Sequence, residues 1–162
     1  MKTAAVVLTL PVVMLHATNA PMRQADAPPF RTTGAFIGIS VANMEASSKW
    51  YQDKFGLKVI MPPTGGGDGR ATVLEGGGLT VELMQHSRAR PLRTAAPDVR
   101  ANYEVHGIFK AGLYVADLDR TLAELRRRGV EVAMGPFPKR DDQPANVIIR
   151  DNAGNFLQLF GR

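Results

Sequence analysis

Two stretches of the chain share one pattern of hydrophobic and polar positions. Residues 34–59 read GAFIGISVANMEASSKWYQDKFGLKV, and residues 107–132 read GIFKAGLYVADLDRTLAELRRRGVEV. Each starts with the alternation typical of a strand, continues with an amphipathic helical pattern and returns to a strand pattern after a glycine. In the second stretch the alternation assigns four residues to a buried face: Phe109, Ala111, Leu113 and Val115. The opposite face then carries Lys110, Gly112 and Tyr114.

Capping signals mark the ends of both predicted helices. Asn43 and Asp117 precede the helical patterns, and side chains of these types satisfy the free N–H groups of a first helical turn. Gly56 and Gly129 follow the patterns, at positions where a left-handed backbone conformation is favoured. The second helix has an apolar stripe formed by Leu118, Leu122 and Leu125. Both stretches are therefore predicted to be strand–helix–strand units.

Each unit is followed by a hairpin pattern. Residues 71–84 are predicted to turn at 76–78, and residues 146–160 are predicted to turn at 151–154, where Asp151 is expected to bond the local backbone. Residues 62–69 and 134–144 are predicted to be loops. The chain is thus predicted to have an α+β fold of two paired βαβββ modules, because one such module could not bury its sheet alone. Module 1 covers about 34–85, a connector covers 86–106, and module 2 covers about 107–162.

The N-terminal 33 residues have a different composition. Residues 1–20 contain one lysine, an apolar run and then small and polar residues, as in a secretory signal peptide, and the run is too short for a stable membrane anchor. A buried or disordered N-terminal segment is the alternative. Residues 21–33 are rich in proline and polar residues and are predicted to be an extended leader. The expected location is the periplasm or the extracellular medium.

Charge and cysteine content narrow the functional classes. The net charge is +5, but the basic residues are scattered, and the only tight run is Arg126 to Arg128 late in the second predicted helix. Cations there complement a helix dipole, and no interleaved aromatic residues accompany them, so nucleic-acid binding is not expected. The chain has no cysteine, so disulfides play no part.

Four motifs in order resemble the vicinal oxygen chelate superfamily, which includes glyoxalase I, bleomycin-resistance proteins and extradiol dioxygenases. They are IGISVANMEASSKWYQDKFGLKV, LTVELMQ, KAGLYVADLDRTLAELRRRGVEV and RDNAGNFLQLF. The resemblance covers residues 34–160 and implies that both modules form one curved mixed sheet around a cavity. It also implies metal ligands on the first and last strands of each module, where this chain has Phe36, Glu82, Lys110 and Gln158. Among these, only Glu82 matches the His and Glu set of glyoxalase-like enzymes, so neither a metal nor another cofactor is expected.

Strand parity groups ten residues on the face that would line the cavity. They are Phe36, Ser40, Thr80, Glu82, Met84, Lys110, Tyr114, Phe156, Gln158 and Phe160. An apolar cavity with a few polar groups is typical of a small-molecule site. Lys110 is predicted to pair with Glu82 in place of a metal, with Gln158 completing the hydrogen bonding. Lys110 is then either a structural counter-ion or a group that stabilises an enolate oxygen while Glu82 moves a proton.

Three functional hypotheses remain open at this stage. The chain is a metal-independent isomerase or lyase acting on a small carbonyl compound, or a binding protein for a small aromatic or apolar ligand. The alternative is a metal-dependent lyase or dioxygenase-like enzyme with relocated ligands, such as His86, His106 and Glu82. Similar proteins are often dimers, so the resemblance also leaves a homodimer open.

Overall fold

A computed structural model describes residues 36–141 and 143–162 of the chain. The predicted signal peptide at 1–20 and leader at 21–33 lie outside the described residues. None of the helices in the described part of the chain has the length and apolar character needed to cross a bilayer.

Module 1 consists of one helix and four strands. Strand β1 (Phe36–Ser40) leads into helix α1 (Met44–Phe55), and three strands follow: β2 (Lys58–Gly66), β3 (Gly69–Gly76) and β4 (Leu79–His86). The predicted N-cap is confirmed, because the Asn43 side chain accepts a hydrogen bond from the Ala46 N–H at 2.9 Å. Gly56 ends the helix with a φ of 71°, a conformation that glycine adopts without strain.

Module 2 repeats this order after the connector. The connector contains a short helix α2 (Leu92–Ala95) and a 3-10 turn (Asn102–Glu104). Module 2 then has β5 (Lys110–Val115), α3 (Leu118–Arg127), β6 (Glu131–Phe137), β7 (Asn146–Arg150) and β8 (Phe156–Gly161). Its N-cap is also confirmed, since the Asp117 side chain accepts from the Arg120 N–H at 2.9 Å.

The strands form two four-stranded mixed sheets with equivalent topology, in the orders β1-β4-β3-β2 and β5-β8-β7-β6. The first strand of each module runs parallel to the last, and the remaining pairs are antiparallel. The predicted α+β fold of two βαβββ modules is therefore confirmed. Where the sequence predicted one curved sheet, the hydrogen-bonded ladders form two sheets, one in each module.

Three local predictions were wrong. Residues 62–66 and 134–137 belong to β2 and β6 rather than to loops. Both are edge strands with register shifts, where proline is tolerated because no ladder needs its missing N–H. Phe109 precedes β5 and is 40% exposed, so it is not a core residue. Its ring packs edge-to-face on Tyr103, with centroids 6.4 Å apart, which gives it a partner outside the core.

One hydrophobic core joins the helix-facing sides of the two modules. Module 1 contributes residues such as Val81 and Leu83, and module 2 contributes residues such as Ile149 and Leu159. The predicted stripe of the second helix is buried in the same core through Leu118, Leu122 and Leu125. The opposite sides of the two sheets lie outside this core, so a binding site can form there.

Polar contacts also join the modules on the helix side. The Tyr51 hydroxyl of α1 donates to Asp151 Oδ2 in the β7–β8 turn at 3.0 Å, and both residues are buried. At the C-terminal end of each helix, a basic side chain donates to carbonyl groups at the end of the other helix. Lys54 Nζ donates to the Arg128 carbonyl, and Arg128 Nη1 donates to the carbonyls of Asp53 and Lys54 at 3.1 and 3.3 Å. These contacts satisfy terminal helix carbonyls and place positive charge at the negative ends of both helix dipoles.

Candidate functional site

The predicted site residues occupy the faces of the two sheets that lie outside the core. In module 1 the register puts Phe36 beside Thr80 and Ser40 beside Met84, with Glu82 beside Gly38 between them. The equivalent rows of module 2 contain Lys110 beside Phe156, Gly112 beside Gln158, and Tyr114 beside Phe160. All ten residues therefore lie where strand parity assigned them, five on each sheet. We call these surfaces the module 1 face and the module 2 face.

The centre of the module 1 face is acidic. Gly38 has no side chain, and the Glu82 carboxylate approaches this position: a Cβ added to Gly38 would stand 3.6 Å from Glu82 Oε2 and 3.9 Å from the Phe36 ring. Glu75 lies in register with Thr80 on the neighbouring strand and adds a second, exposed carboxylate to the same face, where Lys58 of β2 lies opposite it. The module 1 face thus combines apolar side chains with negative charge.

The centre of the module 2 face is a neutral amide pair. Gln158 Nε2 donates to Asn146 Oδ1 at 2.8 Å, and Asn146 Nδ2 donates in turn to the Pro144 carbonyl at 3.1 Å. Both amide side chains are buried, with exposed fractions of 9% and 7%. Gln158 was expected to support Lys110 and Glu82, and its Nε2 is instead engaged within its own sheet. The amide pair therefore forms the buried centre of the module 2 face.

The expected ion pair between Lys110 and Glu82 does not form. None of the ion pairs within 4 Å found among residues 36–141 and 143–162 joins these two side chains. The Lys110 ammonium lies instead 5.2 Å from the centroid of the Phe109 ring. Parity correctly assigned each residue to a face, but it does not fix the distance between residues on different sheets.

Aromatic side chains and cations surround the amide pair on the module 2 face. Tyr114 and Phe160 stack with centroids 5.2 Å apart and an interplanar angle of 27°. The Arg162 guanidinium lies 5.1 Å from the Tyr114 ring centroid, and the Arg150 guanidinium lies 4.7 Å from that of Phe156. Such contacts hold cations over the electron-rich faces of aromatic rings. This face is therefore positively charged and aromatic.

Both faces leave large apolar side chains in solvent. Phe36 is 65% exposed, Tyr114 is 62% exposed and Met84 is 38% exposed. Phe36 and Met84 share the module 1 face, and Tyr114 lies on the module 2 face. Isolated exposed apolar residues are ordinary, but exposed apolar residues that lie together indicate a surface to which another molecule binds. In the described residues the predicted site takes the form of two sheet faces, each with exposed apolar side chains.

The donor chemistry at the four family ligand positions does not suit a metal ion. An ammonium such as that of Lys110 has no lone pair to donate, and phenylalanine has no ligand atom at all. The Gln158 amide carbonyl is a weak ligand compared with a carboxylate, and Glu82 is the only carboxylate of the set. The residues present therefore do not fit the metal implied by the resemblance.

Relocated ligands are also not brought together. His86 lies four residues after Glu82 on the same strand, a separation of about 13 Å at the rise of a β-strand. Metal–ligand bonds to nitrogen and oxygen are only about 2 Å long, so these two side chains are too widely spaced on this strand for one ion. His86 Nδ1 instead accepts from the Arg88 N–H at 3.1 Å. The part of the chain that the structure describes contains no group of three His, Cys, Asp or Glu residues suited to a metal.

A small cavity of about 210 Å³ lies elsewhere, between α1 and the β2–β3 hairpin. Its lining consists of Met44, Glu45, Ser48, Lys49, Gln52, Pro63 and Thr72. It contains none of the predicted site residues, and it is smaller than the usual site for a drug-sized ligand, about 300–1,000 Å³. The two sheet faces remain the better candidates.

Sequence reasoning missed Asn146 and the importance of the two central glycines. Asn146 is a diagonal neighbour of Gln158 across the β7–β8 hairpin, because Asn146 pairs with Phe160 and Ile148 pairs with Gln158. Working out the hairpin register from its turn would have revealed this pair. Gly38 and Gly112 occupy equivalent positions, and each leaves space beside a polar residue of the last strand.

Comparison with known proteins agrees with this architecture. The folds of several solved structures match at low sequence identity. UcmS2 gives a TM-score of 0.61 at 20% identity, covering 82% of this chain and 100% of its own. A glyoxalase family protein from Enterococcus faecalis gives 0.60 at 20% identity, with 80% and 96% covered. TnmS3, an antibiotic binding protein from Streptomyces sp. CB03234, gives 0.54 at 19% identity, with 81% and 96% covered.

The order of elements and the sheet topology define a protein of two paired βαβββ modules, with an exposed sheet face in each module. A search of curated proteins gave no significant match. Residues 35–159, most of the chain, match the profile of the Glyoxalase/Bleomycin resistance protein/Dioxygenase superfamily. The chain belongs to this superfamily, as its sequence motifs predicted.

Proposed function

We propose that the protein binds a small carbonyl or aromatic compound on its sheet faces without a metal ion. The observation that carries this proposal is the set of large apolar side chains left in solvent around a few polar groups, led by Phe36 at 65% and Tyr114 at 62% exposure. Apolar walls with few polar groups are the usual composition of small-molecule sites. The polar groups here are Glu82, Lys110 and the Gln158–Asn146 amide pair.

Membership of the superfamily supports binding as a function in its own right. One of the structural neighbours is described as an antibiotic binding protein. A sequestering protein needs a complementary surface but no reacting group, which agrees with a site where no metal-ligand set assembles.

Catalysis by Glu82 and Lys110 is the more demanding form of the same proposal. Glu82 would move a proton next to a carbonyl, and the Lys110 ammonium would stabilise the developing oxyanion, giving isomerase or lyase chemistry. Both groups must then contact one ligand, although they lie on different sheets. Turnover of a small carbonyl compound that is abolished in both Glu82→Gln and Lys110→Gln would support this form. Turnover that survives both substitutions would exclude these two residues as the catalytic groups.

The first experiment measures ligand and metal binding by the purified protein. A panel of small aromatic and carbonyl compounds is titrated while thermal unfolding and calorimetric heats are recorded, since a ligand of the folded state raises its stability. We expect micromolar or tighter ligands and no stoichiometric binding of Zn²⁺, Ni²⁺, Mn²⁺ or Fe²⁺ at micromolar concentration. Stoichiometric metal binding would contradict the proposal and return His86, His106 and Glu82 to consideration.

Two further parts of the proposal concern the whole protein. We propose that residues 1–20 direct export to the periplasm or medium, which N-terminal sequencing of the exported product tests. We also propose that a second copy covers part of the exposed faces as a homodimer. Light scattering tests this, and a monomer at all accessible concentrations would contradict it.

A further inference from the structure

The two sheet faces are equivalent in geometry but different in chemistry. At the central row, Gly38 lies beside Glu82 in module 1, and Gly112 lies beside Gln158 in module 2. Module 1 therefore has a carboxylate at the position where module 2 has a neutral amide. This duplicated arrangement lets one face serve as an internal comparison for the other.

The outer rows show the same divergence. Phe36 and Ser40 on β1 correspond to Lys110 and Tyr114 on β5. On the last strands, Thr80 and Met84 correspond to Phe156 and Phe160 in the equivalent rows. In these rows the module 2 face has one cation and three aromatic rings, whereas the module 1 face has one aromatic ring and no cation.

Gly112 gives the aromatic rings of the module 2 face room to stack on each other. A Cβ at this position would stand 3.2 Å from Phe160 Cε2, so the Phe160 ring extends over the glycine. Tyr114 stacks on this ring with centroids 5.2 Å apart and is 62% exposed. The two rings form a stacked pair, and the exposed Tyr114 ring is the part that a ligand's aromatic ring can contact.

Cations lie on either side of the stacked pair of Tyr114 and Phe160. Lys110 lies two residues from Gly112, about 7 Å along the strand, and takes part in none of the ion pairs found among residues 36–141 and 143–162. Arg162 lies over the Tyr114 ring at 5.1 Å. Arg150 also lies near this face, but Glu131 accepts from its Nε at 3.1 Å and offsets its charge. Lys110 and Arg162 take part in none of the ion pairs of the described residues, so both can meet a ligand's negative charge.

We infer that the module 2 face selects a planar aromatic anion, such as an arene carboxylate. Its ring packs against the exposed Tyr114 ring, and its carboxylate meets the Lys110 ammonium, with Arg162 adding positive charge beside Tyr114. The module 1 face disfavours the same molecule, because the Glu82 carboxylate occupies its centre, whereas Glu75 nearer its edge has Lys58 opposite it. This inference rests on the proposed small-molecule function and adds the charge and shape of the ligand.

Three compounds of nearly equal shape test the inference: 2-naphthoate, 2-naphthalenemethanol and 2-naphthylmethylammonium. Their affinities for the purified protein are measured by calorimetry at neutral pH. We expect the anion to bind at least tenfold more tightly than the alcohol, and the cation to bind most weakly. Equal affinities for anion and alcohol would overturn the inference while leaving the proposed function intact. If none of the three binds, the inference fails, and if the wider ligand panel also finds no binder, the proposed function fails with it.

Two variants locate the interaction. Lys110→Gln should lower the affinity for naphthoate about tenfold and leave that for the alcohol unchanged, whereas Tyr114→Ala should weaken both. The matched control is Lys49→Gln on α1, whose side chain is 76% exposed and pairs with Asp53, and it should change neither affinity. A preference for the anion that persists in Lys110→Gln would overturn the role of this residue. In an NMR titration with naphthoate, chemical-shift changes confined to residues of the module 1 face would overturn the choice of face.

Discussion

The buried hydroxyl of Tyr51 offers a sharp test of how the two modules are held together. Its side chain is fully buried, and its hydroxyl donates to Asp151 Oδ2 at 3.0 Å. Burial raises the pKa of the Tyr51 phenol well above its usual range, and the charge of Asp151 and the hydrogen bond raise it further. Replacing Tyr51 with phenylalanine removes one hydrogen bond and one ionisable group while keeping the aromatic ring.

The expected loss at neutral pH follows from the remaining contacts. A hydrogen bond to a charged group contributes about 1.5–3 kcal/mol. Asp151 would keep three donors, the backbone N–H groups of Ala153 and Asn155 and the Asn155 side chain, at 2.8–2.9 Å. The carboxylate is therefore not left without partners, and we expect Tyr51→Phe to lower the free energy of unfolding by about 1.5–2 kcal/mol.

The pH dependence predicts the direction in which the stability difference between wild type and Tyr51→Phe changes. Because the folded-state pKa of Tyr51 is raised, its stabilising contribution is complete below the unfolded pKa of about 10. Above this pH the unfolded chain releases the phenolic proton and the folded chain keeps it. The wild-type advantage over Tyr51→Phe should then shrink by about 1.4 kcal/mol for each pH unit. The two proteins should reach equal stability between about pH 11 and 12.

Denaturant unfolding followed by circular dichroism at pH 7, 9, 10 and 11 measures both effects. Tyr103→Phe serves as the control, because Tyr103 is 69% exposed and its replacement should change stability by less than about 0.5 kcal/mol. A difference between wild type and Tyr51→Phe that stays constant up to pH 11 would refute the reasoning. It would mean that the folded protein ionises Tyr51 as readily as the unfolded chain does.

Three further substitutions test local features of the fold by the same denaturant assay. Asp117→Ala should cost about 0.5–2 kcal/mol through loss of the α3 cap, and Asp117→Ser should restore most of it. Gly56→Ala should cost about 1–2 kcal/mol because φ is 71°, whereas Gly66→Ala, where φ is not left-handed and nothing lies within 4 Å, should be neutral or stabilising. Gln158→Leu should cost about 1–3 kcal/mol by leaving the buried Asn146 Oδ1 without its donor, and a neutral effect would contradict the amide-pair assignment.

Features set by neighbouring residues were predictable from the sequence. The caps at Asn43 and Asp117 need only a side chain and a backbone N–H three residues later, and both are present. Strand alternation likewise gave the faces of Glu82 and Lys110 correctly, because the side-chain period of a strand is fixed by its backbone. Duplication of these local signals was enough to predict the paired modules.

Contacts between distant parts of the chain were not predictable in this way. The sequence assigned Asp151 to bonds within its own turn, which form, but its contact with Tyr51 crosses 100 positions and depends on how the modules pack. The expected pair of Lys110 and Glu82 failed for the same reason: local rules give the side of a sheet, not the separation of two sheets. Phe109 shows the other limit, since alternation does not determine at which residue a strand starts.

The pleat of the strands places alternate side chains on opposite sides of each sheet, one toward the core and one toward solvent. On β4, Leu83 is fully buried in the core while the adjacent Met84 is 38% exposed on the module 1 face. Inward positions therefore hold the scaffold together, whereas exposed outward positions such as Met84 contribute little to the core. Substitutions at such exposed positions can change what a face binds with little loss of stability.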